Sequence, residues 1–75
     1  MKREELFFAL NETTLALRFS QSAAKRFTAD ADELEAGSKT AESVAYINNR
    51  LSDAQISLVA AEVEIGRLLQ ESGAD

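Results

Sequence analysis

Residues 44–68 read VAYINNRLSDAQISLVAAEVEIGRL. Val44, Ile47, Leu51, Ala54, Leu58, Ala61, Ile65 and Leu68 recur at spacings of 3 and 4, an unbroken heptad seam with a at Val44 and d at Ile47. No glycine interrupts it before Gly66, and the chain contains no proline. A seam this regular predicts a long helix lying along another helix.

A second seam precedes it. Leu6, Leu10, Thr13, Leu17, Ser20, Ala24, Phe27, Ala31 and Leu34 keep the same period, with Thr13 and Ser20 as polar members. Glu4 and Glu5 suit the positive end of a helix macrodipole. The phase predicts one helix over about residues 2–36, although Thr28 could cap a restarted turn. Gly37 then suits a C′ position that needs positive φ, and Ser38 or Thr40 can cap a second helix over about 40–72. The two seams are out of phase across this point: the first, continued, would place a at Ala45 rather than Val44. One straight rod is therefore disfavoured. The sequence predicts a single all-α domain over residues 1–75, an antiparallel helical hairpin with its turn at about 37–40 and a length of about 50 Å. Facing residues then have numbers that add to about 74.

An isolated pair of helices leaves most of each one wet. Off the seams, Phe8, Leu15 and Phe19 lie on the back of the first helix, and Ile56, Val59 and Val63 on the back of the second. All six fall in the half of the hairpin away from the turn. A stretch that is apolar all round is a buried stretch, so these six are the expected oligomer interface of a helical-bundle homo-oligomer, a dimer or higher. Scattered exposed apolar side chains are the competing explanation.

Composition removes several function classes. The 75 residues include no Cys and no His. This excludes a disulfide framework and thiolate metal sites, and it deprives the usual nucleophilic triads of their base. A non-catalytic protein without cofactor or metal is expected. A net charge of −5 disfavours nucleic acid as partner, since phosphate binding needs a basic surface. No apolar run approaches the length of a membrane span. MKREELFF lacks the apolar core of a signal peptide, and a cytoplasmic location is expected. Glu62 and Glu64 fall on different faces without a Glu-x-x-His frame, so they do not make a di-iron site. Asp30-Ala-Asp32-Glu33 lacks the glycine and distal glutamate of a calcium loop.

The charges are sorted along the chain. Residues 13–29 contain Arg18, Lys25 and Arg26 and no acid; residues 43–52 contain Arg50 and no acid. In the hairpin register Lys25 and Arg26 lie level with Asn48, Asn49 and Arg50, with Tyr46 nearby. Guanidinium, ammonium, amide and phenol groups at one level are what an anionic ligand such as a nucleotide needs. The same residues would equally serve as a solvated belt that moderates an acidic surface.

The second helix also carries Leu51-Ser52-x-Ala54-x-x-x-Leu58-x-x-Ala61, with Asn49–Arg50 before it and Arg67 after it. Over about twenty residues this resembles the second-helix pattern of a phage helical-hairpin family that includes anti-CBASS and anti-Thoeris sponge proteins. The family's Leu-Glu-Glu-Ala and Trp-Ala steps are replaced here by Leu58-Val59-Ala60-Ala61 and Ile65-Gly66. The resemblance implies an anti-defence sponge that sequesters cyclic-nucleotide signals in a host cytoplasm. In architecture alone the chain also resembles small acidic hairpin dimers that bind plasmid RNA. Two functions are therefore expected from the sequence. The first is a small homo-oligomeric inhibitor or adaptor of phage or plasmid type, which binds and sequesters a partner protein. The second is the sponge.

Overall fold

A computed structural model describes residues 2–29 and 33–73. They form two helices, α1 (Arg3–Ala29) and α2 (Lys39–Gly73), and no strand occurs among the described residues. The helices run antiparallel as a hairpin measuring 58 × 14 × 14 Å. Polar contacts between them fix the register. The Arg3 guanidinium Nη1 donates to the Leu69 carbonyl at 3.0 Å and to Ser72 Oγ at 3.3 Å. Thr14 Oγ1 donates to Glu62 Oε2 at 2.7 Å. The expected level relation, a sum of about 74, therefore describes the pairing.

The first helix ends earlier than the seam predicts. α1 stops at Ala29 rather than near Ala36, and the seam position Ala31 lies outside the described residues. Two features mark this end. The Thr28 hydroxyl bonds back to the Ala24 and Lys25 carbonyls at 2.9 and 3.1 Å within the last turn, and the turn it was expected to cap lies outside the described residues. The following residues include Asp30, Asp32, Glu33 and Glu35, four acids that the negative end of the helix dipole repels. The turn itself follows the sequence reading. Gly37 has φ +81°, and the Ser38 N–H bonds to the Glu35 carbonyl at 3.1 Å. Ser38, not Thr40, is the N-cap: its Oγ accepts the Ala41 N–H at 3.1 Å.

The seam of α2 is rotated relative to the sequence expectation. Val44, Leu51, Leu58 and Ile65, the a positions, are half-buried as predicted. On the d line Ile47 and Ala61 are half-buried as well, but Ala54 and Leu68 are exposed. The residues that alternate with a toward α1 are Ala41, Asn48, Gln55, Glu62 and Leu69, at e. Side chains on α1 explain this turn of the helix. Thr13, Thr14 and Ser20 make its inner face partly polar, so Glu62 finds a hydroxyl donor there, while at the open end Leu69 rather than Leu68 is buried, as is Leu6. Those two leucines are the only buried hydrophobic residues among the described ones, 4 % and 8 % exposed.

Candidate functional site

With so small a core, half of the large apolar side chains among the described residues face solvent. All six expected interface residues are exposed: Phe8, Leu15, Phe19, Ile56, Val59 and Val63, with Phe19 and Ile56 at 70 %. The structure divides them between two surfaces. Leu15 and its neighbours Phe8 and Phe19 lie between the inward positions of α1, on its side away from α2. Ile56 and Val59 instead border an open groove of about 410 Å³ between the helices, together with Leu17, Gln21, Ser52 and Gln55. Sequence reasoning missed Phe7 and Leu68, which are also exposed. Phe7 had a signal available: it lies one turn beyond Arg3, whose guanidinium stacks over its ring at 5.2 Å. Leu68 was missed because it was assigned to the inner seam.

The cationic band is level but not convergent. Lys25, Arg26 and Asn49 are exposed, and Tyr46 is 66 % exposed. Arg50 is turned along its own helix toward Asp53, 3.7 Å away, an exposed pair of small energetic weight. Asn48 is half-buried against α1, and its Oδ1 has no hydrogen-bond partner. Among the described residues no hydrogen bond or ion pair joins these six side chains to one another. Tyr46 borders a different hollow, of about 570 Å³, with Lys39, Glu42, Ser43 and Ile47. That hollow mixes one cation with one acid and does not concentrate positive charge.

Two other chemistries have no foothold among the described residues. No group of His, Cys, Asp and Glu there is arranged to hold a metal ion, and no helix is long and apolar enough to cross a membrane. Compared with known proteins, the chain matches no family model, no curated protein and no solved structure.

Proposed function

We propose that the chain is a non-catalytic binding protein that works as a homo-oligomeric helical bundle and sequesters a partner protein through the assembled helical faces. The observation that carries this reading is the imbalance of burial: two buried hydrophobic residues against an exposed set that includes Phe8, Phe19, Ile56 and Val63. A compact monomer of 8.2 kDa exposes roughly 4,500 Å² by the usual area–mass relation, whereas this hairpin exposes 5810 Å². The excess, about 1,300 Å², exceeds the roughly 800 Å² that each partner buries in a standard interface. Association is the way for a chain of this size to complete a core. The cyclic-nucleotide sponge is the weaker reading, because the exposed cations Lys25, Arg26 and Arg50 do not converge on a common pocket.

Native mass spectrometry and sedimentation of the freshly purified protein test the proposal. A dimer or higher oligomer at micromolar concentration is expected, and a Phe19→Glu plus Val59→Glu variant should shift to monomer with partial unfolding. A wild-type monomer overturns the assembly. A co-purified nucleotide mass, lost on Arg26→Ala, overturns the protein-binding reading in favour of the sponge.

A further inference from the structure

We infer that the outer face of α1 docks on the same face of a second copy of this chain, antiparallel, about a two-fold axis at Leu15. The inference rests on the self-association proposed above and gives it a geometry. Leu6, Leu10, Thr13, Leu17, Ser20 and Ala24 turn toward α2, which leaves heptad positions b, c and f on the outside. From Glu4 onward every charged residue of α1 falls on b or c. In order they are Glu4 and Glu5, then Glu12, then Arg18, then Lys25 and Arg26: acids first, bases last. The f positions between them hold Phe8, Leu15 and Ser22.

This series is antisymmetric in charge about one residue. Glu4 and Arg26 lie eleven residues to either side of Leu15, Glu5 and Lys25 ten, and Glu12 and Arg18 three. A two-fold axis at Leu15 therefore brings the acids Glu4 and Glu5 against bases of the partner and sets Glu12 level with a partner base across the apolar line, while Leu15 meets its own copy and Phe8 and Phe19 flank it. A parallel pairing would set acid on acid and base on base. Within the hairpin, none of the six charged side chains forms an ion pair with another described residue, and all six are exposed. The helix macrodipole accounts for acids in the first turn and for Arg26 in the last, but its influence fades within a turn. It does not explain Glu12 and Arg18 at mid-helix, nor the confinement of all six to two heptad positions. Complementary charge flanking an apolar line is how helices choose partner and orientation. The contact also assigns Lys25 and Arg26 a role: on the b and c flanks they receive Glu4 and Glu5 of the partner subunit, respectively, and are not open to an anionic ligand.

Because the chain has no cysteine, single-cysteine variants report the pairing directly. In the antiparallel dimer, Glu5 and its own copy are roughly 30 Å apart along the axis, at 1.5 Å per residue, far beyond the ~7 Å Cα separation a disulfide can span. Glu5→Cys and Arg26→Cys proteins, oxidised separately, should stay uncrosslinked; mixed, they should give the heterodisulfide. As a second measurement, Glu4→Lys plus Glu5→Lys should weaken dimerisation at least tenfold at low salt and less at high salt. Adding Lys25→Glu and Arg26→Glu to that chain should restore it. A wild-type monomer in sedimentation overturns the self-association itself. An oligomer in which Glu5→Cys crosslinks to itself, or in which neither protein crosslinks alone or mixed and the charge reversal is silent, leaves self-association standing and overturns this pairing.

Discussion

Replacing Asn48 by Leu should stabilise the protein. Asn48 sits on the inner line of α2, half-buried against α1, with Oδ1 shielded from solvent and without a partner. A buried acceptor left unsatisfied costs about 1–3 kcal/mol. Leu has the same branching and number of heavy atoms, is larger, and has no such atom. It also covers roughly 50 Å² more apolar area, worth about 1 kcal/mol at about 25 cal/mol per Å², and it favours the helix over Asn by a few tenths of a kcal/mol. Imperfect fit against the small α1 side chains Ala23 and Ala24 offsets part of this, so a net gain of about 1–3 kcal/mol is expected. For a domain of this size each kcal/mol moves the melting temperature by about 4–8 °C. Urea and thermal unfolding followed by far-UV circular dichroism measure the change, with wild type and variant at equal concentration because the proposed assembly would contribute to stability. Unchanged or reduced stability refutes the reasoning, and would show that Oδ1 is paired in the protein as it exists in solution.

Two further substitutions probe the register and the turn. Thr14→Val removes the hydroxyl that meets Glu62 Oε2 at 2.7 Å and should cost about 1–2 kcal/mol, since the carboxylate stays half-buried without its donor; in urea titration, Glu62→Leu added to Thr14→Val should recover most of the loss, and failure to recover would mean the two residues do not pair. Gly37→Ala meets no atom within 4 Å, so its cost is that of holding a Cβ at φ +81°, about 1–2 kcal/mol, and an unchanged melting temperature would show that the turn does not need the left-handed conformation.

The hairpin was legible because periodicity, a phase break and one glycine all pointed to it. Helix 1 was read too long because the heptad phase persists through Ala31 and Leu34; phase records which residues could pack, whereas four acids after Ala29 oppose continuing the helix. The rotation of α2 was illegible for a different reason. An apolar line predicts that something covers it, but not which neighbour does. The d positions Ala54 and Leu68 are as apolar as a partner helix requires, yet α1 offers the Thr14 hydroxyl on its inner face, and Glu62 at an e position accepts its hydrogen bond. The Thr14–Glu62 pair thus favours the a and e stripe of α2 facing inward, and the apolar Ala54 and Leu68 join the outer surface.

The same limit applies to the charges. Sorting them by level showed that Lys25, Arg26 and Arg50 share a height on the hairpin, and height alone suggested a ligand band. Level is one coordinate of two. Asp53, one residue beyond the acid-free stretch, is a helical neighbour of Arg50 at i+3 and offsets its charge at the edge of the band, 3.7 Å away. Direction around α1 is the second coordinate, and it becomes usable only when burial shows which side α2 occupies. On the free side the cations continue a series that begins with Glu4. A row of bases alone calls for an anion; a row that changes sign at an apolar midpoint is already complementary to its own reverse. A second copy satisfies that row with no other component, and the exposed Leu15 and Phe19 at its centre give the copy an apolar reason to stay.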